Sequence, residues 1–133
     1  MASFLVDTNI LVYAFKGQGG CRERINRAPP QSLAISTITI FEIEFGLAKS
    51  NNPSHLREFL QKLLQRCQLL PLDEPSAAHA GRLRAYLAAL GQPIGPYDLL
   101  IAGIALAHNL TLVTRNTREF ERVPGLKIEN RFE

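Results

Sequence analysis

At 133 residues, nearly half of them apolar and a fifth charged, the chain has the size and composition of one globular domain with a proper core, which excludes disordered and fibrous classes. A formal charge of +3 and a pI near 9.1 permit a nucleic-acid partner without demanding one. No apolar run is long enough for a membrane span, no charged lead or small-residue cleavage site follows Met1, and Cys21 and Cys67 have neither disulfide nor zinc spacing, so a reducing, cytoplasmic compartment is expected.

In chain order, Phe4-Leu5-Val6 is a short apolar run that stops at Asp7 and reads as a buried strand. Asn9 suits the cap of a first helix built on Ile10, Leu11, Val12 and Ala14. Asp7 would also serve an Asx turn between the two. Gly17, Gly19 and Gly20 form a loop, and Arg22 to Ala28 is a short helix stopped by Pro29-Pro30. Leu33 to Ser36 is the second strand, with Ser36 or Thr37 capping a helix from Ile38 to about Lys49. Ile38, Phe41 and Phe45 share one face of that helix and Ile40, Ile43 and Leu47 another, which predicts a largely buried helix and draws attention to Glu42 and Glu44.

Asn52-Pro53 reads as a cap and first helical position for an amphipathic helix through Leu56, Phe59, Leu60, Leu63 and Leu64. Gln68 to Leu70 is the next strand, and a long helix runs from Pro75 to a stop at Gly91. The stiff turn Pro93-Ile94-Gly95-Pro96 sets the start of a helix from Tyr97-Asp98 to about Asn109 that is apolar all round, hence a core helix. Leu110 to Thr114 is a strand, Arg115 to Phe120 a polar turn, and a last strand lies near Lys127 to Glu129. The three histidines, His55, His79 and His108, have no ligand spacing. Short strands alternating with helices of ten or more residues predict an α/β fold with a mainly parallel sheet.

In such a sheet the carboxyl ends of strands and the amino ends of the helices that follow share one edge, where ligands bind. That rule gathers Asp7, Glu42 and Asn116 at one edge. Asp98 follows no clear strand, so the proline-rich turn must deliver it. Carboxylates about 4 Å apart repel by on the order of 4 kcal/mol at an effective dielectric of about 20, which a proton or cation can relieve. Hard oxygen donors without His or Cys select Mg²⁺, with Mn²⁺ as the substitute, and a cation there supports hydrolysis of a phosphodiester. Clustered arginines around the late turn, Arg115, Arg118 and Arg122, are candidates for positioning phosphates. Phosphatases with an aspartyl nucleophile need a second acid two residues after the first, and position 9 is Asn. No glycine-rich phosphate loop, dinucleotide fingerprint or serine elbow is present.

Four segments in order, Val6-Asp7-Thr8-Asn9, Ser36 to Gly46, Pro93 to Ala102 and Leu112 to Phe120, resemble the PIN-domain ribonucleases of the VapC toxin family over nearly the whole chain. The resemblance implies a single PIN domain, a three-layer α/β/α sandwich with a mainly parallel central sheet, and Mg²⁺-dependent endoribonuclease activity. It further implies homodimers and neutralisation by a VapB-type antitoxin, with higher assembly in that complex. The Pro-Ile-Gly-Pro turn is similar to that of toxins cutting the anticodon region of initiator tRNA. By the same resemblance Asp7 and Asp98 are the metal ligands, and Glu42, rather than Glu44, is the acid that polarises or positions the attacking water. Asn116 stands where many relatives carry Asp, Glu119 is a candidate to compensate, and Thr8 and Thr114 are supporting hydrogen-bonders. The alternative is a non-catalytic module of the same fold that binds nucleic acid; it would tolerate loss of the acids, which are all present.

Overall fold

The computed structural model describes residues 2–29, 31–51 and 54–130. The expected cap at Asn52-Pro53 and the second proline of the Pro29-Pro30 stop lie outside them. The sheet is built of β1 (Phe4–Val6), β2 (Leu33–Ser36), β3 (Gln68–Leu70), β4 (Thr111–Val113) and β5 (Ile128–Glu129), in the order β3-β2-β1-β4-β5 with every pairing parallel. The helices are α1 (Thr8–Lys16), α2 (Cys21–Arg27), α3 (Thr37–Lys49), α4 (Ser54–Leu64), α5 (Glu74–Ala89), α6 (Pro96–Ala107) and the single turn α7 (Thr117–Phe120).

Two-residue periodicity divides the central strands between two cores. Leu5, Ala34 and Leu112 face a layer with Leu83, Leu87, Ile101 and Ile104 of α5 and α6. Their neighbours Val6, Leu33, Ile35 and Val113 face the opposite layer, with Ile10 and Leu11 of α1, Ile25 of α2, Ile43 of α3 and Leu60 of α4. The sheet is therefore covered on both faces, as parallel sheets must be. Helix α6 is the core helix expected, with Ile101, Ala102, Ile104 and Ala105 wholly buried. It packs against α5 so closely that a β-carbon at Gly103 would lie 2.7 Å from Ser76 O. Helix α5 stops as expected: Gly91 takes φ +67°, its N–H donating to Ala88 O and that of Gln92 to Leu87 O. Cys21 and Cys67 are buried free thiols.

Two expectations are corrected. Asn9 is not the cap of α1: the helix starts at Thr8, and Asp7 caps it by accepting Thr8 N–H on Oδ1 at 2.8 Å. Helix α3 is not largely buried. Thr39, Ile43 and Leu47 form its buried stripe, whereas Phe41 and Phe45 are 52% and 60% exposed. The Phe41 ring instead meets Tyr97 of α6 edge-on, and the Lys49 ammonium sits over Phe45. Periodicity alone does not distinguish a helix buried on two faces from one whose second apolar face is left open. No helix among the described residues is long and apolar enough to cross a membrane.

Candidate active site

Asp7 is the hub, and the end of β1 explains why. Its backbone N–H donates to Val113 O at the end of β4, which places the side chain where two parallel strands finish. Only 3% of the residue is exposed. Its Oδ1 takes the Thr8 N–H and its Oδ2 takes the Thr114 hydroxyl at 2.9 Å. Burial nevertheless pushes its pKa from 3.8 up to about 6; those hydrogen bonds pull it down, and the charges of Glu42 and Glu119 push it up further.

Glu42 sits in the second turn of α3, whose start is capped by Ser36 Oγ accepting Thr39 N–H. Thr8 Oγ1 reaches across from α1 and donates to Glu42 Oε1 at 2.7 Å. Glu44, which the helical pattern could not separate from Glu42, points away to solvent and pairs with Arg57 at 3.2 Å.

Asp98 lies in the first turn of α6 and is delivered by the proline-rich turn. That turn is held from β4's side. Glu119 Oε1 accepts Gly95 N–H at 2.8 Å, its Oε2 accepts Asn116 Nδ2–H at 2.7 Å, and Arg122 donates to Pro93 O. Asn116 in turn donates its backbone N–H to Thr114 Oγ1, the hydroxyl bonded to Asp7. Asp98 and Glu119 face each other as a side-chain hydrogen-bonded pair, a contact that pushes Asp98 up and Glu119 down. Burial, that bond and the charges of Asp7, Glu119 and Glu42 push Asp98 up to about 8. Burial also works to raise Glu119. Its donors from Gly95, Asp98 and Asn116, with the charge of Arg122, outweigh it and hold the carboxyl below its usual range.

The structure thus brings Asp7, Glu42, Asp98, Asn116 and Glu119 into one electrostatic neighbourhood, with Thr8 and Thr114 bonded to its members. Arg118 lines a cavity of about 270 Å³ with Gly95, Asn116 and Glu119. Arg115 is turned the other way, its guanidinium over the Tyr13 ring of α1 and donating to that phenol oxygen at 3.0 Å. A larger cavity, about 510 Å³ between α5 and α6, has Leu87, Ile94, Leu99 and Leu100 in its lining and none of the acids; volume and chemistry therefore lie in different places. Two contributors were not assigned from the sequence, Thr39 and Gly95, and Arg122, one of the arginines around the late turn, holds the proline-rich turn through Pro93 O. Thr39 was legible in principle, standing three residues from both Ser36 and Glu42 on one helix face.

Among the described residues no three His, Cys, Asp or Glu side chains are arranged to enclose a metal by themselves. The donor set still suits Mg²⁺, which takes one or two carboxylates and keeps several waters. The charges acting on Asp7 and Asp98 are carboxylates, so the centre carries an excess of negative charge that a hard cation would offset.

Residues 4–126 match the PIN domain, and over 131 residues the chain is 40% identical to the tRNA(fMet)-specific endonuclease VapC of Shigella flexneri, an alignment covering 98% of each. The chain belongs to the VapC family of PIN-domain proteins. This VapC-family chain is similar in structure to DNA-bound VapBC from Salmonella typhimurium, with a TM-score of 0.89, 40% identity and 98% of each chain covered. It is also similar to VapBC-1 from nontypeable Haemophilus influenzae, with a TM-score of 0.86, 32% identity and all of each chain covered. The three-layer α/β/α sandwich with a parallel sheet is the architecture of this family.

Proposed function

We propose that this chain is a toxin ribonuclease of the VapC type, an Mg²⁺-dependent endoribonuclease that hydrolyses a phosphodiester bond of tRNA and is neutralised by a VapB-type antitoxin. The observation that carries the reading is the meeting of Asp7, Glu42, Asp98 and Glu119, drawn from four separate segments, at the carboxyl edge of the sheet. Forty per cent identity to an endonuclease named for tRNA(fMet), with coverage of nearly both whole chains, supports initiator tRNA as the substrate.

Asp7 and Asp98 would hold the cation. When bound, Mg²⁺ supplies positive charge that offsets the acids and the charge building on the phosphoryl oxygens. Glu42, fixed by the Thr8 hydroxyl, takes the proton of the attacking water as the new P–O bond forms and the bond to the leaving ribose oxygen breaks, that oxygen taking a proton from solvent water. Thr114 and the Thr8 backbone keep both oxygens of Asp7 in place, so that the carboxylate need not reorganise during reaction. Asn116 brings no charge to the fourth position; Glu119, which it orients, restores one. The exposed Phe41, Phe45 and Tyr97 rings on α3 and α6 form an apolar face of the kind a homodimer would cover.

The test is incubation of the purified protein with total RNA in Mg²⁺, with and without EDTA, followed by sequencing of new ends. New ends confined to the anticodon region of initiator tRNA and lost with EDTA support the reading. Intact RNA under all conditions removes it.

A further inference from the structure

Behind Glu42 stand three buried hydroxyls. Ser36 and Thr39 are fully buried and Thr8 is 8% exposed. Thr39 N–H donates to Ser36 Oγ at 3.1 Å, Ser36 Oγ lies 3.3 Å from Thr39 Oγ1, Thr39 Oγ1 lies 3.0 Å from Thr8 Oγ1, and Thr8 Oγ1 is 2.7 Å from Glu42 Oε1. Each hydroxyl owns one proton and can accept others. Because the Thr39 amide already points a proton at Ser36 Oγ, the serine's own proton has one acceptor in reach, Thr39 Oγ1. Thr39 must then donate to Thr8, and Thr8 to the carboxylate. The reverse order would leave the Ser36 proton buried with no acceptor, the kind of loss that native interiors avoid. The chain of protons therefore runs one way, from the cap of α3 toward Glu42. No hydrogen bond among the described residues reaches Oε2 of Glu42.

We propose that Ser36 and Thr39 are positioning residues for the cleavage reaction: with Thr8 they form a one-way chain of hydroxyls that fixes Oε1 of Glu42 as an acceptor and leaves Oε2 to take the proton of the attacking water. This rests on the reading of Glu42 given above. It assigns a task to the buried Thr39 hydroxyl, which capping does not require, since Ser36 would cap α3 equally well with an apolar residue at position 39. Hydrogen bonds in a chain polarise one another, so removing the middle hydroxyl is expected to weaken the bond at the end.

The decisive pair of variants is Thr39→Val, which keeps the shape and deletes the hydroxyl, and Thr39→Ser, which keeps the hydroxyl. On the RNA that the wild type cuts, the valine variant is expected to lose roughly tenfold in kcat with KM within about twofold, and the serine variant to recover most of that loss. Ser36→Ala, with an intact Thr39, should show a smaller loss of the same kind. Independently of activity, the Glu42 carboxyl carbon resonance of the metal-free protein should shift in Thr39→Val and return toward its original position in Thr39→Ser. Wild-type kcat in Thr39→Val, a loss seen as KM rather than kcat, equal loss in both Thr39 variants, or an unmoved Glu42 resonance overturns the proposal. Absence of cleavage by the wild type would instead count against the proposed function, and the carboxyl resonance would still decide whether the hydroxyl chain exists.

Discussion

Replacing Asp7 by Asn should make the metal-free protein more stable at neutral pH while abolishing cleavage. The carboxyl's pKa stands at about 6 in the fold against an ordinary 3.8, so ionised Asp7 costs the native state about 3 kcal/mol at pH 7. The sign follows from proton uptake. Between about pH 4 and 6 the native state binds more protons than the unfolded chain, so this contribution to stability falls as pH rises through that window and is flat above it. Asparagine removes the charge but keeps an oxygen for Thr8 N–H; its amide nitrogen then faces Thr114 Oγ1, whose proton loses its acceptor, at a cost of about 1 kcal/mol. The net gain near pH 7.5 is about 2 kcal/mol, or roughly 6–10 °C in melting temperature for a chain of this size. Urea denaturation in EDTA at a fixed protein concentration, repeated from pH 4 to 8, measures it. The advantage of Asp7→Asn should appear between pH 4 and 6 and level off. A variant less stable than the wild type at pH 7.5, or a difference independent of pH, would refute the reasoning.

Three further outcomes follow from the same structure. Arg118→Gln should weaken RNA binding and lower the slope of log affinity against log salt by about 1, because Arg118 lines the cavity beside Asn116 and Glu119; affinity unchanged across a salt series counts against that placement. Glu44→Gln should leave cleavage intact and change stability by less than about 1 kcal/mol, since its pair with Arg57 is half exposed. Loss of cleavage there would exchange the roles of Glu42 and Glu44. Gly103→Ala should destabilise by about 1–3 kcal/mol, because the added carbon would meet Ser76 O at 2.7 Å and Ala80 Cβ at 2.8 Å in the α5–α6 contact; an unchanged urea midpoint would show that the helices can part at little cost.

How much of this was legible in the residues depended on whether a feature is local. Phe4-Leu5-Val6, Leu33 to Ser36 and the all-apolar α6 announce themselves through composition and period, and the strand-end rule brings Asp7, Glu42 and Asn116 to one edge. The cap of α1 was misplaced onto Asn9 because Asp7 does two things at once, closing the Asx link to Thr8 and facing the other acids. Exposure of Phe41 and Phe45 was invisible because an apolar face shows that a residue prefers burial, not whether its own chain supplies the cover. The choice of Glu42 over Glu44 depends on a hydroxyl 34 residues away, and the position of Asp98 on a glutamate and an arginine beyond β4 that grip the Pro93–Pro96 turn. These are long-range contacts that no pattern within a helix encodes.

Diffraction from crystals soaked in Mn²⁺, collected at the manganese absorption edge, tests the gathering of these acids most directly. The arrangement described here predicts an anomalous peak within bonding distance of Asp7 and Asp98, absent from Asp7→Asn crystals treated alike. A saturating soak that places manganese elsewhere, or nowhere, would contradict it.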